Sequence, residues 1–548
     1  MPFLAEKTFK IPNKDILSWI FDEQRHDVDK PIYIEAADPS QSISSRQAQS
    51  LIRKLIAGFR AHGVKPGDCV CIHSFNSIYY PILFLAIVGC GAVFAGTNPS
   101  YTPFELVHHF RTARVNFVIT EPEMLAEVKN AAKETGIPSS EILIFDVQKQ
   151  DVPSGFSSWS TLLTHGEEDW IRFDDEQLSK NTTAARLFSS GTTGLPKAAV
   201  LTHQTFVAQH TLSYEAEPPV MQIIRLCYLP MYHAAMVPLT HVSPLRAYFP
   251  TYIMRRFELE PFLSHVSRYH ISELIVVPPV ALAIIKTPSA SKYSFENLKW
   301  VGCGAAPLAL ENQLALQKVL GPQTIVVQGW GMTETCCIAM RFVGHERDDT
   351  GSVGRPMYNL DLKLIDDEDQ DITAYDTRGE LCIRGPSIIP GYFDNPEANA
   401  NSFTDDGYFK TGDIMYCSGS TKKWYIVDRK KELIKIRGFQ VAPGEIEAVL
   451  LSHPQVLDAA VIGIRKPSEP DENEHPRAYV VRRPGPEGDA VNEELLKSYC
   501  SSRLAKFKEI TGGIQFIDVM PRNPTGKILK RVLRDMAKTE LSAGGPRI

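Results

Sequence analysis

The segment Leu187–His203, LFSSGTTGLPKAAVLTH, concentrates hydroxyl groups, glycines and a lysine in one short stretch. Backbone N–H groups, O–H donors and a cation in close proximity are the groups that hold polyphosphate oxygens. The segment is not a Walker A loop, because no Gly-Lys-Ser/Thr sequence precedes a helix. It therefore predicts a different kind of phosphate-binding loop, and the alternative is a polar surface turn. The candidate residues are Ser189, Ser190, Gly191, Thr192, Thr193, Gly194 and Lys197.

A second candidate site lies in VVQGWGMTETC, Val326–Cys336. An apolar strand leads into Gly329-Trp330-Gly331, and parallel-sheet enzymes bind ligands where their strands end. The indole of Trp330 could stack on a nucleobase, and Glu334 beside a phosphate site could bind Mg²⁺. The alternative is a core tryptophan followed by a helix cap.

Three further segments carry weaker signals. In YFKTGDI, Asp413 sits on a turn and can accept hydrogen bonds from a ribose diol, although such turns are more often purely structural. The run VDRKKELIKIRGFQ is rich in cations and ends in Gly438-Phe439-Gln440, which suggests close approach of the backbone to a ligand. Lys527 follows a Pro-Thr-Gly turn in RNPTGKILKR. For the last two segments the alternatives are a solvated charged face and an ordinary surface lysine.

The elements that must position these residues alternate between helix and strand over the first half of the chain. Ser44–Gly63 has helical spacing, whereas Asp68–Ser74, Val115–Thr120 and Glu141–Val147 are short apolar strands. Continuous apolar strands separated by helices predict parallel sheets covered by helices, an α/β fold. The same pattern returns at Ser272–Val277, Leu298–Gly302 and Thr324–Gln328.

From about Gly351 the sequence pattern changes to short segments of alternating apolar and polar residues separated by turn residues. This pattern predicts a small distorted β-barrel or antiparallel sheet. We place the main domain boundary near Lys430. This divides the chain into a large N-terminal part, residues 1–429, and a smaller α+β domain, residues 430–548.

Composition excludes several classes of protein. Lys plus Arg is 58 and Asp plus Glu is 64, a net charge of -6, which gives no basic footprint for nucleic acid. The longest apolar run, Ile82–Gly96, is too short to span a membrane and is better explained by a buried helix followed by a strand.

The final residues Pro546, Arg547 and Ile548 have the shape of a degenerate peroxisomal signal. We therefore expect peroxisomal import through its receptor, with a cytoplasmic location as the alternative.

Together and in this order, the five segments resemble the adenylate-forming superfamily of acyl-CoA synthetases, luciferases and peptide-synthetase adenylation domains. The resemblance is strongest to the 4-coumarate–CoA ligase branch and covers nearly the whole chain, including NPSYTPFELVHHF, YLPMYHAA, CGAAPL and GELCIRG. It implies an ATP-dependent acid–CoA ligase that uses ATP, Mg²⁺ and coenzyme A. A carboxylate first attacks the α-phosphate to give acyl-AMP and pyrophosphate, and a thiol then displaces AMP.

The resemblance also implies residue roles. Lys527 would bridge the carboxylate and the α-phosphate, Glu334 would hold Mg²⁺, and Lys431 would be the hinge of a mobile C-terminal domain. After rotation of that domain, Lys435, Gly438 and Gln440 would face the thiol. The nucleotide would be bound by the phosphate loop together with Gly304, Ala305, Ala306, Trp330, Gly331, Met332, Thr333, Asp413 and Arg429.

Three positions depart from the family pattern. Trp330 replaces the usual tyrosine, Ala198 replaces a glycine after Pro-Lys, and Ile436 replaces a common aromatic residue. The last departure makes the thioester-forming surface the least certain part of the resemblance. None of the three removes a charged or hydroxyl group that the chemistry needs.

The resemblance places the acyl pocket at Tyr232, His233, Ala234, Gly302, Gly304, Gly331, Cys336 and Cys337. These residues contain little that could balance a second substrate charge, and burial of an unpaired charge is costly. We therefore expect an aryl, arylpropenoic or medium-chain monocarboxylic acid. Three alternatives stay open: an enzyme that loads a carrier protein in trans, a luciferase-like oxygenase, and a non-catalytic binding protein.

Overall fold

The computed structural model describes residues 3–24, 26–189, 196–430, 432–436, 439–465, 474–504, 506–523 and 526–543. The chain packs into two compact units. The larger unit comprises residues 3–362 and 383–409, and the smaller unit comprises residues 363–382 and those from 410 onwards. The boundary near Lys430 stays a prediction about which part of the chain moves.

The larger unit contains two seven-stranded sheets, whose strand orders are β14-β13-β12-β10-β11-β1-β2 and β7-β6-β5-β3-β4-β8-β9. Most of their neighbouring strands are parallel, for example β12 with β13 and β3 with β4. The strands are β1 (Pro31–Glu35), β2 (Ser42–Ser44), β3 (Cys69–His73), β4 (Val93–Gly96), β5 (Val115–Thr120), β6 (Ile142–Ile144), β7 (Ser157–Ser158), β8 (Thr183–Ser189), β9 (Lys197–Thr202), β10 (Arg225–Cys227), β11 (Thr251–Ile253), β12 (Glu273–Val276), β13 (Trp300–Cys303), β14 (Ile325–Gln328), β15 (Met340–Arg341) and β16 (Arg355–Pro356).

Helices cover these sheets, and local sequence explains where several begin. Ser44 and Gln47 form a capping box at the start of α2, and Thr102 and Glu105 form another at α4. The helices are α1 (Ile16–Phe21), α2 (Ser45–Ala61), α3 (Tyr80–Gly89), α4 (Pro103–Ala113), α5 (Leu125–Thr135), α6 (Glu176–Asn181), α7 (His203–His210), α8 (Ser243–Ala247), α9 (Leu259–Arg268), α10 (Pro278–Lys286), α11 (Leu310–Leu320) and α12 (Pro396–Ser402). Two π-helical segments, Thr211–Glu215 and Pro238–Val242, and short 3₁₀ turns, including Trp159–Thr164 and Thr333–Thr335, complete the unit.

The smaller unit holds a three-stranded sheet, a two-stranded sheet and most of a five-stranded sheet ordered β18-β17-β19-β20-β21. Its core is apolar and includes Ile434, Val461 and Leu496. The strands are β17 (Asp361–Ile365), β18 (Asp371–Ile372), β19 (Gly379–Arg384), β20 (Phe409–Cys417), β21 (Trp424–Arg429), β22 (Ile434–Ile436), β23 (Phe439–Val441), β24 (Val456–Ile464), β25 (His475–Arg482) and β26 (Ile514–Phe516). The helices are α13 (Pro443–Leu451), α14 (Pro486–Asp489), α15 (Glu493–Ser501) and α16 (Lys530–Ala543).

The predicted α/β class, with parallel sheets covered by helices and a smaller second part, is confirmed. The run Ile82–Gly96 is a buried helix, α3, followed by strand β4, as its sequence predicts. In the described part of the chain, no helix combines the length and apolar character needed to cross a bilayer.

Candidate functional site

The predicted phosphate loop leaves the larger unit's sheet at Ser189 and returns at Lys197. These two residues end β8 and begin β9 and are paired in the antiparallel ladder. The Ser189 hydroxyl is buried beside Tyr392 and makes no hydrogen bond of normal geometry among the described residues. Such a donor costs free energy unless a ligand satisfies it, which fits an oxyanion bound at the start of the loop.

Several predicted residues cannot be placed in three dimensions. Ser190, Gly191, Thr192, Thr193, Gly194, Lys431 and Gly438 lie outside the described residues, as do Pro546, Arg547 and Ile548. Their proposed roles stay predictions from the sequence.

The carboxylate of Glu334 is the predicted Mg²⁺ ligand, and it is almost completely buried, with 4% of the residue exposed. Its Oε1 accepts a hydrogen bond from the Tyr392 hydroxyl at 2.7 Å, and its main-chain oxygen accepts one from the Ile389 N–H at 3.0 Å. Burial, followed by the negative Glu334, raises the pKa of Tyr392, so the phenol stays protonated and donates. Glu334 Oε2 has no hydrogen bond within the described ranges and is left for another ligand.

Tyr392 also connects Glu334 with the phosphate loop. The Lys197 ammonium lies 5.0 Å from the centre of the Tyr392 ring, and residues around Tyr392 pair with strand β9. Sequence reasoning missed Tyr392, which lies far along the chain in IIPGYFDN and carries no motif of its own.

The donor set fits a magnesium ion. One buried carboxylate beside a phosphate site is how Mg²⁺ is commonly held, since substrate phosphates and water complete its octahedron. No cluster of three or more His, Cys, Asp or Glu side chains suited to a metal occurs among the residues with described coordinates. A site completed by the nucleotide itself is therefore the consistent arrangement.

A cavity of about 440 Å³ opens along one face of the sheet formed by β12, β13 and β14. Many predicted nucleotide and acyl-pocket residues line it together: His233, Gly302, Gly304, Ala305, Trp330, Gly331, Met332, Thr333 and Cys337. Tyr232, Ala234, Ala306 and Cys336, which were predicted from the same segments, lie outside its lining. Cys336 is fully buried, and Tyr232 packs against Gly96.

A tight backbone turn shapes the cavity near Trp330. A Cβ on Gly331 would lie 1.7 Å from the Cys337 carbonyl oxygen, so only glycine fits there. Trp330 is largely buried and its backbone pairs with Met340. The chain therefore folds back on itself between the predicted adenine-binding and acyl-binding residues.

The imidazole of His233 is oriented by its own loop. Its Nδ1 accepts a hydrogen bond from the Ala235 N–H at 3.2 Å, and the His233 N–H donates to Pro230. The neutral ring therefore carries its proton on Nε2. This orientation suits a donor to an anionic oxygen within the cavity.

The cavity contains groups that the sequence analysis did not anticipate. Trp300 lies over Gly302, since a Cβ there would be 2.3 Å from the indole. The ionisable side chains Glu217, Glu273 and Arg341 also line the cavity. Trp300 could have been found from its position two residues before Gly302 on the same strand face, but no local signal marks the three ionisable residues.

In the smaller unit, the two predicted ribose-binding residues face each other across strands β20 and β21. Asp413 is paired with Arg429 in the antiparallel register, and Arg429 Nε lies 3.4 Å from Asp413 Oδ1. The preceding Gly412 has a φ of +73°. The arrangement supplies a carboxylate and a guanidinium side by side, as a ribose diol requires.

The predicted catalytic lysines also lie on defined backbone. Lys435 is opposite Gln440 in the register of β22 and β23. The Lys527 N–H donates to Asn523 Oδ1 at 2.8 Å, and Arg522 anchors the turn through two hydrogen bonds to Asp458 at 2.9 and 2.7 Å.

Charged side chains of the smaller unit cluster around Lys530. Lys530 Nζ lies 3.3 Å from Glu432 and 3.0 Å from Glu447. Asp428 accepts hydrogen bonds from the Arg429 and Gly444 N–H groups. Burial raises the pKa of Asp428 to about 6, and Lys530 only partly opposes this shift.

The chain matches described protein families over most of its length. Residues 21–393 match the family described as AMP-binding enzyme, and residues 445–527 match the AMP-binding enzyme C-terminal domain. The phenylacetyl-CoA ligase epaB of Aspergillus niger is 48% identical over 99% of this chain and 100% of its own length. The acyl-CoA ligase azaF of the same species is 49% identical over 97% of this chain and 100% of its own length. The ATP-bound crystal structure of MatB from Rhodopseudomonas palustris is 25% identical and has a TM-score of 0.83, covering 96% of this chain and 99% of MatB.

We predict that Tyr392→Phe weakens magnesium binding in the presence of ATP. The substitution keeps the ring beside Lys197 but removes the donor to Glu334. The magnesium concentration that gives half of the ATP-dependent thermal stabilisation should rise about tenfold, as for other outer partners of metal ligands. Tyr293→Phe is the matched control, since it removes a hydroxyl bonded to the exposed Glu260. An unchanged magnesium dependence in Tyr392→Phe would show that this hydroxyl does not orient the ligand.

We also predict a pH-dependent local stability in the smaller unit. Asp428 has a folded-state pKa of about 6, above an unfolded value of about 3.9. Its stabilising contribution is therefore complete below the unfolded value and is lost as pH rises through 6. Between pH 5 and 7 this loss amounts to about 1 kcal/mol, and Asp428→Asn should remove it.

Hydrogen exchange of residues 424–451 at pH 5 and 7, corrected for intrinsic rates, measures this difference. Asp489→Asn, at an exposed carboxylate of the same unit, serves as the control. Equal pH dependence in the wild type and Asp428→Asn would refute the assignment.

Proposed function

The chain belongs to the AMP-binding enzyme family, and from this membership we propose which acid it activates and which lysines serve its two half-reactions. It is an ATP-dependent, AMP-forming acid–CoA ligase. In the first half-reaction a carboxylate oxygen bonds to the α-phosphorus of ATP and pyrophosphate leaves. In the second, the thiol sulfur of coenzyme A bonds to the acyl carbon and AMP leaves with the electron pair.

We propose that the physiological substrate is a small aryl monocarboxylic acid. The single observation that carries this proposal is the indole of Trp300, which lies against Gly302 and gives the cavity of about 440 Å³ a flat aromatic wall. Aromatic rings pack favourably on an indole in offset or edge-on geometry. The relative named a phenylacetyl-CoA ligase supports the same substrate class.

The residues of the larger unit divide the first half-reaction between them. Ser189 and Lys197 would hold phosphate oxygens, and Thr333 would donate to the α-phosphate. Glu334, oriented by Tyr392, would hold Mg²⁺, which neutralises charge on the departing pyrophosphate. His233 would donate a hydrogen bond to the substrate carboxylate, or to the acyl group on the side from which coenzyme A approaches.

The residues of the smaller unit are proposed to serve both half-reactions. Lys527 would bring positive charge to the encounter of two anions, the positioning that such a displacement requires. Lys435 and Gln440 would act with the thiol. Asp413 and Arg429 would bind the ribose.

Two further assignments rest on sequence alone. The likeness to the 4-coumarate–CoA ligase branch supports the aryl proposal. The tripeptide Pro546-Arg547-Ile548 is proposed to bind the peroxisomal import receptor.

The substrate proposal is tested with a panel of phenylacetic, benzoic, cinnamic and C6–C12 aliphatic acids, read by pyrophosphate release and by acyl-CoA formation. We expect the highest kcat/KM for an aryl acid, with consumption of free coenzyme A. A preference for aliphatic acids would refute the aryl proposal. Pyrophosphate release without an acyl-CoA product would instead favour transfer to a carrier protein.

The lysine roles are tested in separate half-reactions. Lys527→Ala should lower acyl-AMP formation by roughly a hundredfold or more, yet still convert supplied acyl-AMP to thioester. Lys435→Ala should show the opposite pattern. Equal losses of both half-reactions in each variant would contradict separate roles.

A further inference from the structure

The acyl cavity extends along the sheet away from the strand ends that carry the predicted nucleotide residues. Glu273, Ile275, Val276 and Val277 line it on β12 and the residue beyond, and Trp300, Gly302 and Cys303 do so on β13. Of the first four, Glu273, Ile275 and Val277 hold alternate positions. Alternate residues of a strand share one face. Four residues of strand from Val277 to Glu273 span about 13 Å. We call the part of the cavity near Glu273 and Trp300 its distal end.

One arginine at the distal end is fully engaged. Arg225 is buried and its Nε donates to Glu273 at 2.9 Å. It also donates to the Tyr214 hydroxyl and to the Leu239 carbonyl oxygen, each at 2.9 Å. Arg225 therefore has no need of a ligand and serves to hold the wall.

The second arginine, Arg341, is different. It lines the cavity with 17% of its side chain exposed, and its nearest acid is Glu217, with Nη2 and Oε2 3.7 Å apart. That distance is too long for a hydrogen bond, and its guanidinium makes no side-chain hydrogen bond within the described ranges. Burial lowers the pKa of Arg341, and Tyr214, Glu217 and Glu273 oppose that shift. A half-buried guanidinium with five donors is thus available to whatever fills the cavity.

The charge balance determines what kind of group Arg341 can receive. Arg225 and Arg341 face Glu217 and Glu273, two positive groups against two negative ones. A substrate carboxylate at this end would add an unbalanced buried charge, which is costly. An uncharged oxygen would accept a hydrogen bond without disturbing the balance.

We infer that Arg341 determines specificity by donating a hydrogen bond to an uncharged oxygen acceptor on the substrate, a hydroxyl, ether or carbonyl group remote from the reacting carboxylate. This inference rests on the proposed ligase function and narrows its substrate class. It does not depend on whether the acid is aryl or aliphatic.

The test compares two acids that differ only by oxygen in place of methylene: 4-methoxyphenylacetic acid and 4-ethylphenylacetic acid. The same exchange in an ω-methoxy and an ω-ethyl aliphatic acid is used if aliphatic acids are the better substrates. We expect the wild type to favour the oxygen-bearing acid in kcat/KM. In Arg341→Met that ratio should fall roughly tenfold, the effect of one lost charge-assisted hydrogen bond. The ratio cancels any general loss of activity.

Arg256→Met is the matched control, because Arg256 is 66% exposed and pairs only loosely with Glu258 at 3.6 Å. Its acid ratio should equal that of the wild type. ATP-dependent thermal stabilisation of each variant checks that the fold is retained.

A second variant tests the charge balance in the opposite direction and does not require the first to fold. Glu217→Gln removes the negative charge nearest Arg341. It should raise the kcat/KM for 1,4-phenylenediacetic acid, relative to 4-ethylphenylacetic acid, by roughly tenfold.

The inference would be overturned if the wild type is active and neither Arg341→Met nor Glu217→Gln changes its ratio of kcat/KM values between the paired acids. A wild type that forms no thioester with any acid would instead overturn the proposed function.

Discussion

A buried carboxylate is costly, and the predicted phosphate-side chemistry depends on how Glu334 is held in the 3₁₀ turn Thr333–Thr335. Tyr392 supplies the hydrogen bond that its Oε1 needs, and Ile389 satisfies its main-chain oxygen. The segment that carries Ile389 and Tyr392 is held in turn by main-chain hydrogen bonds to strand β9. The Val200 N–H donates to the Gly391 carbonyl oxygen at 3.0 Å, and the Phe393 N–H donates to the Ala198 carbonyl oxygen at 2.8 Å. Strand β9 begins at Lys197. The strand that follows the predicted phosphate loop therefore also positions Tyr392, the donor to the predicted metal ligand.

The turn after Trp330 imposes a second constraint on the cavity. Cys336 and Cys337 have φ values of +60° and +130°, unusual for residues with side chains, and Gly331 has no space for a Cβ. This compact turn sends the chain back beside Trp330 and directs Arg341 into the distal end of the cavity. Residues a few positions apart in sequence, which are predicted to bind the nucleotide and the acyl group, thus line the same cavity because the turn reverses the chain between them.

Sequence alone predicted the parallel-sheet elements, since strands such as Cys69–His73 are buried at every position and leave a largely apolar run. It also predicted site roles for Glu334 and Asp413, because each follows a recognisable glycine-containing motif, and these roles stay predictions. Tyr392, Glu217 and Lys530 were missed for a physical reason. Each acts through a partner distant in sequence, and such pairings are set by tertiary packing that leaves no local pattern. Ala234 and Cys336 were assigned to the pocket by segment, but both are buried outside the cavity lining.

The buried pair of Arg225 and Glu273 shows why charge is retained in the wall of an otherwise apolar cavity. A buried ion pair by itself is weak evidence for stability, and apolar residues of equal volume often serve as well. Here, however, Arg225 also donates to Leu239 and Tyr214, which belong to the two π-helical segments, Pro238–Val242 and Thr211–Glu215. Irregular helical turns leave main-chain oxygens without their usual partners, and they occur frequently at functional sites. An apolar replacement for Arg225 could not donate a hydrogen bond to the Leu239 carbonyl oxygen, so this wall of the cavity needs the arginine. The buried charge of Arg225 in turn needs Glu273 as its partner. The second pair, Arg341 and Glu217, leaves the four side chains with no net charge. The same requirement that lets the irregular wall fold therefore favours uncharged groups at the distal end of the cavity.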